Sequence, residues 1–304
     1  MNLRVTKMHG LGNDYVYVDT FRERVTDPAR LARAVSDRHT GLGGDGLILI
    51  GPAEDRSAHL RMRIFNADGG EAQMCGNGIR CVARYAVERG LSTANPLHVQ
   101  TGRGTLKVTW CGDGDDFMAT VEMGEPVLEA GALPAALPGV ADRERVQGWP
   151  IPPEAMPAEE HGAWMRASGF DGRMTLVGMG NPHAVLWCRH VDAVPLKSVG
   201  PWLERHPWFP QRINVHVAQT ESGGLAMRTW ERGSGITMAC GTGACAVAVA
   251  AVLAGTSGSP VRVRLPGGHL RIAWDGPGHG VRMTGPATFV ADAELGEKLS
   301  KEAG

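Results

Sequence analysis

The chain carries almost no net charge: 31 Lys and Arg stand against 32 Asp and Glu, leaving −1. So even a balance gives no electrostatic footprint for nucleic acid or an anionic membrane. Long apolar runs are also missing. The best candidate, Ala244 to Ala254, falls well short of the roughly 20 residues a bilayer-spanning helix needs. The opening Met1-Asn2-Leu3-Arg4-Val5-Thr6-Lys7 has no apolar stretch of the kind a secretory signal carries, so a cytoplasmic location is expected. There the six cysteines would be reduced, which argues against a disulfide frame. Hydrophobic residues at 43% and charged residues at 21% are ordinary for a globular protein, and 304 residues suffice for two domains.

Glycine, by contrast, is abundant at 42 residues. Much of it serves tight turns, but it clusters twice in Cys-Gly-x-Gly: Cys75-Gly76-Asn77-Gly78 and Cys240-Gly241-Thr242-Gly243. Strand-like runs fall at Tyr15–Val18, Leu47–Ile50, Leu60–Phe65 and Thr105–Trp110, and again at Met174–Val177, Ala184–Cys188, Ile213–Val217 and Leu225–Trp230. Helices are expected over Pro28–Arg38 and Asn77–Arg89. The Ala- and Pro-rich stretch Ala132–Pro157 lacks periodicity and reads as a linker or long surface excursion. Gly285-Pro286 marks a further break.

The two halves read as a diverged repeat. With Cys75 set on Cys240, "IFNADGGEAQMCGNGIRCVARYAV" falls on "TWERGSGITMACGTGACAVAVAAV" without a gap, and Gly10-Leu11-Gly12-Asn13 resembles Gly178-Met179-Gly180-Asn181 upstream. Duplication predicts two similar lobes with their cysteine loops facing each other. In the first helix Ile79, Val82, Ala83, Ala86 and Val87 form one apolar face ending near Gly90. The second, Ala244–Ala254, is apolar all round and is expected to be buried on every side. Each cysteine precedes its helix, where backbone N–H groups and the positive dipole end favour anions and lower a thiol's pKa.

Competing uses of these loops meet obstacles. Cys75 and Cys81 are too far apart for a zinc knuckle of the Cys-x2–4-Cys type, Cys240 and Cys245 also miss, and neither loop contains His. A P-loop needs a Lys-Ser/Thr ending, and a dinucleotide fingerprint needs a third glycine. Cys81, Cys111, Cys188 and Cys245 are expected simply to pack. For Cys75 and Cys240 the better reading is a pair of thiols at one anion site, one removing a proton beside a carboxylate and the other delivering one, with no metal and no cofactor.

These motifs, with "MHGLGNDYVYVD", "GNPHAV", "RINVHVAQ" and "MTGPATFV", resemble the diaminopimelate epimerase family from end to end. The resemblance implies an α+β fold of two pseudo-symmetric lobes, each a mixed, mainly antiparallel curved sheet or barrel around a central helix. It places lobes at 1–124, joined by the tail 286–304, and at 125–285. It further implies cofactor-independent interconversion of LL- and meso-diaminopimelate for lysine and peptidoglycan precursors, by a cytoplasmic homodimer. Cys75 and Cys240 become the base and acid, with His183 and Glu231 as auxiliaries. Asn13, Asn66, Asn181, Asn214, Glu231 and Arg232 would bind substrate, and backbone N–H groups of Gly76, Asn77, Gly78, Gly241 and Thr242 would hold its reacting carboxylate. The other ten of the eleven histidines are assigned no role.

Two positions depart from the family pattern. Gly46 stands where some members carry a substrate-contacting glutamine, and Ile236 stands where a glutamate is frequent, as Glu71 is in the first half. A proline or hydroxyproline racemase would share the thiol pair but need no Glu231-Arg232 clamp. An amino-acid binding protein would not require cysteine in both loops.

Overall fold

The structure is a computed structural model describing residues 2–156 and 161–304. It is α+β, and the chain divides into two compact units, Met1–Glu122 with Thr284–Gly304, and Met123–Met283.

In the first unit the strands are β1 Arg4–Gly10, β2 Asn13–Asp19, β3 Gly46–Gly51, β4 Leu60–Asn66, β5 Glu71–Ala72, β6 Leu97–Thr101, β7 Gly104–Cys111 and β8 Met118–Glu122. Helix α1, Pro28–Ser36, begins where Asp27 accepts from Arg30 N at 3.0 Å and proline occupies the first turn. The expected helix to Arg38 stops at Ser36. Asp37 takes the backbone N–H groups of His39 and Thr40 at 2.8 and 2.6 Å, a local turn that competes with helix. Helix α2, Gly76–Glu88, ends at Gly90 with φ +72° and a Leu91 N to Ala86 O bond of 2.8 Å.

The second unit holds β9 Trp149–Pro150, α3 His161–Ser168, β10 Arg173–Gly178, β11 Pro182–Trp187, α4 Leu196–Glu204, β12 Asn214–Glu221, β13 Gly224–Glu231, β14 Gly235–Thr237, α5 Gly241–Leu253, β15 Val261–Leu265 and β16 Gly268–Ala273. Then β17 Arg282–Pro286, β18 Thr288–Glu294 and α6 Glu297–Ser300 carry the chain to its end. Strand β18 returns to the first unit, pairing antiparallel with β1.

Strand pairing repeats step for step. β1 is antiparallel to β2, β2 parallel to β3, β3 antiparallel to β4, β4 parallel to β6, and β6 antiparallel to β7. β10, β11, β12, β13, β15 and β16 follow the same sequence of orientations. Register repeats as well: Tyr15 opposes Gly46 as His183 opposes Asn214, and Ile48 opposes Ile64 as His216 opposes Thr229. The sequence repeat is therefore a repeat of structure.

Each cysteine-led helix is central to its unit. α2 packs against β1, β2, β7 and β8, while α5 packs against β10, β11, β12, β13, β15 and β16. The all-apolar surface of α5 is explained by that surround, its residues from Gly243 to Ala251 all being buried. Among the described residues no helix is long and apolar enough to cross a membrane.

Two expectations need correction. The Ala- and Pro-rich stretch is no linker: Leu133, Leu137, Val146, Ile151 and Met156 are buried in the core of the second unit, and Trp149 meets Trp208 edge-on at 4.9 Å. Its apolar residues enter that core one at a time from irregular backbone, so no period betrays them. Its last residue, Pro157, and the three that follow lie outside the described residues. Cys111 does not pack either. It ends β7 and is exposed, unlike buried Cys81, Cys188 and Cys245.

Candidate active site

Cys75 caps α2 in extended conformation, φ −136° and ψ 119°, and its Sγ accepts from Gly78 N at 3.4 Å. The thiol donates to Asn13 Oδ1 at 3.4 Å, which also accepts from Asn77 Nδ2 at 3.2 Å. Asn13 Nδ2 in turn donates to Asp45 at 2.6 Å. Asn13 thus fixes the thiol, the first turn of α2 and the β2 end together. Tyr15, two residues on in β2, faces Cys75. Burial and the neighbouring thiol raise its pKa well above the ordinary phenol value, so it stays a neutral donor.

Below that turn lies a residue the sequence reading missed. Arg80 is fully buried, and its guanidinium donates to Pro286 O at 3.0 Å, Gly76 O at 3.0 Å and Asn77 Oδ1 at 3.1 Å. A single cation therefore ties the Cys75 loop to the C-terminal segment. The available signal was an arginine between Ile79 and Cys81 on the apolar side of a helix. Asn66, by contrast, is exposed at the end of β4.

Gly46 occupies the start of β3 between Tyr15 and Asn66. A Cβ there would lie 2.1 Å from Phe65 O, 2.9 Å from Tyr15 Cε1 and 3.1 Å from Asn66 Cα. No glutamine side chain fits this backbone. Gly46→Ala is expected to cost about 1–3 kcal/mol of stability through overpacking and to raise KM by spreading the strand ends that carry Asn13 and Asn66. Urea unfolding with steady-state kinetics checks this; unchanged values in both would sink it.

In the second unit Cys240 caps α5, also extended at φ −122° and ψ 105°, with Thr242 Oγ1 3.6 Å from its sulfur. Burial, then the Glu231 carboxylate, push the Cys240 thiol well above its ordinary value, so it is protonated at neutral pH. Glu231 itself accepts from Thr237 Oγ1 at 2.6 Å. Asn214 joins two segments: its Oδ1 accepts from Arg232 N at 3.0 Å and its Nδ2 donates to Pro182 O at 2.8 Å. Arg232 also donates through Nη1 to Gln211 O at 3.0 Å. Glu71 pairs with Arg63, whereas its counterpart Ile236 is exposed opposite Trp230.

His183 is fully buried, with Nε2 2.8 Å from Asn181 Oδ1 and Nδ1 2.8 Å from His216 Nε2. His216, which the sequence reading left without a role, is equally buried and continues to Thr229 Oγ1 at 3.0 Å. Burial, then His216 and Arg232, lower His183 far below the usual imidazole value, and burial takes His216 to about 3. Both rings are neutral at pH 7.

This has a consequence for stability. The unfolded rings take up protons below about pH 6.5 and the folded ones do not, so stability is lost as pH falls from there toward 3. For His216 alone the loss at pH 5 is about 2 kcal/mol relative to pH 7.5. Urea unfolding at both values should show His216→Gln with the flatter pH dependence; equal slopes would refute the assignment.

Among the described residues no group of three or more His, Cys, Asp or Glu could hold a metal ion. The fold is shared with proteins of known structure. It is similar to a hydroxyproline epimerase from Agrobacterium vitis, with TM-score 0.64, 16% identity and coverage of 97% of this chain and 92% of that one. It is also similar to a phenazine biosynthesis protein from Bacillus anthracis, with TM-score 0.66, 14% identity and coverage of 97% and 99%.

Sequence narrows this to one family. The chain is 45% identical to diaminopimelate epimerase from Acetivibrio thermocellus, over 96% of this chain and 98% of that protein. It is 44% identical to the Desulfovibrio desulfuricans diaminopimelate epimerase, over the same shares. The diaminopimelate epimerase family profile matches residues 5–129 and 175–290. The chain belongs to the diaminopimelate epimerase family.

Proposed function

We propose that this protein interconverts LL- and meso-diaminopimelate without a cofactor, using Cys75 and Cys240 as base and acid. The observation that carries the reading is the pair of cysteines at identical points of a duplicated frame, each capping its central helix in a chain of this family. The backbone N–H groups of Gly76, Asn77, Gly78, Gly241 and Thr242 sit in the first turns of those helices, where the dipole stabilises charge growing on the reacting carboxylate. Glu231 and Arg232 supply opposite charges for the distant ammonium and carboxylate. Asn13 and Asn214 order the loops while each keeps a second N–H, and Asn214 a second lone pair, for substrate. Asn66 and Asn181 complete the set, and His183 acts as a neutral neighbour.

The reading extends to a cytoplasmic homodimer, which sedimentation of the purified chain tests. The activity itself is tested with purified protein, LL-diaminopimelate and D2O, with no cofactor added. Deuterium at one α-carbon together with meso product supports the proposal. Exchange into proline but not diaminopimelate would replace it with the racemase reading, and exchange into neither would leave a binding protein.

A further inference from the structure

The two units share one frame, yet at one place in it the second carries polar side chains where the first carries apolar ones. Where His216 opposes Thr229 across β12 and β13, Ile48 opposes Ile64 across β3 and β4. Both arrangements abut the first turn of the cysteine-led helix: a Cβ on Gly243 would lie 2.3 Å from His216 Cε1, and one on Gly78 2.6 Å from Ile48 Cδ1. An isoleucine pair therefore satisfies packing at this place, and burying a hydroxyl and an imidazole there costs desolvation that packing does not require.

We propose that His216 and Thr229 are positioning residues that fix the amide of Asn181, acting through His183. The inference rests on the reading that Asn181 touches substrate. Asn181 Oδ1 faces His183 Nε2 at 2.8 Å, and an amide oxygen only accepts, so that nitrogen carries the proton. Neutral His183 then has a bare Nδ1, which requires a proton on His216 Nε2, 2.8 Å away. His216 Nδ1 is bare in turn and accepts from the Thr229 hydroxyl at 3.0 Å. Three links use three protons, all pointing toward Asn181.

The consequence is chemical. With Oδ1 turned to His183, the Asn181 group turned away from the chain is Nδ2, a donor suited to a carboxylate. Reversing the chain would turn the amide around and offer the wrong polarity. His183, His216 and Thr229 are at most 2% exposed, so water does not compete for these bonds.

The test uses the full-length enzyme. With 15N-labelled histidine, both rings are expected as Nε2–H tautomers at pH 7.5, and an Nδ1–H tautomer at either would overturn the proposal. Thr229→Val keeps the shape and removes the donor; KM for LL-diaminopimelate should rise about ten-fold with kcat little changed, the loss of one hydrogen bond to a charged group. Thr229→Ser should restore KM. A fall in kcat at unchanged KM would mean the hydroxyl acts otherwise. In an Asn181→Ala background Thr229→Val should add nothing, and additive effects would overturn the coupling. If Asn181→Ala alone leaves KM unchanged while the tautomers stand as expected, it is the substrate reading of Asn181 that has failed.

Discussion

Cys75→Ala and Cys240→Ala are each expected to slow interconversion of LL- and meso-diaminopimelate by about 10³-fold or more, within the range lost when a positioned acid or base is removed. The two thiols are prepared differently. Cys240 is buried beside Glu231 and holds its proton at neutral pH. Cys75 is only partly buried, receives the Gly78 N–H on its sulfur and has the neutral Tyr15 hydroxyl alongside. Each single variant should retain one half of the chemistry. A remaining thiol can remove and return a proton on its own face, giving exchange without inversion. In D2O the two variants should therefore label opposite stereoisomers. Labelling of the same isomer by both, or interconversion within ten-fold of the unmodified enzyme, would exclude the two-thiol mechanism.

The second large effect is expected at Arg80. Arg80→Met keeps much of the volume and removes a buried cation that serves three oxygens, those of Gly76, Asn77 and Pro286. Each buried acceptor left without its donor costs about 1–3 kcal/mol, so a total of roughly 3–9 kcal/mol is expected for the three. A fall of about 10 °C in the thermal midpoint follows. Activity should fall as well, because Gly76 and Asn77 form the turn proposed to hold the carboxylate. Arg80→Lys should be intermediate, since one ammonium cannot reproduce the fixed fork of donors. Calorimetry and kcat/KM measure both effects. A midpoint within 2 °C and undiminished turnover would show that the guanidinium ties nothing essential.

The contrast between these residues explains what could be read from the chain alone. Cys75, Cys240 and their glycines belong to short motifs that begin helices, and helix starts are encoded within a few residues. The repeat was legible because its gapless alignment preserved each position's surroundings, from Asn66 and Glu231 to Cys75 and Cys240. Apolar periodicity similarly marked α2, and an unbroken apolar run marked the buried α5.

Other features depend on contacts between residues far apart in sequence. Arg80 looked like an ordinary helix arginine until Pro286 was brought to it. His216 sat in an alternating strand with nothing to distinguish it from nine other histidines, and only the pairing of β11 with β12 and of β12 with β13 set it between His183 and Thr229. Gly46 read as a missing glutamine, whereas the strand on either side leaves no room for a Cβ. The stretch from Ala132 to Met156 looked like surface because single apolar residues entering a core from irregular backbone carry no period. By itself, then, the sequence determined the repeated frame, the two cysteine-led helix starts and the family, because these are written in local motif and register. Tertiary structure alone decided which buried polar groups orient them, because a hydrogen-bond partner is set by where the chain returns and not by what stands beside it in sequence.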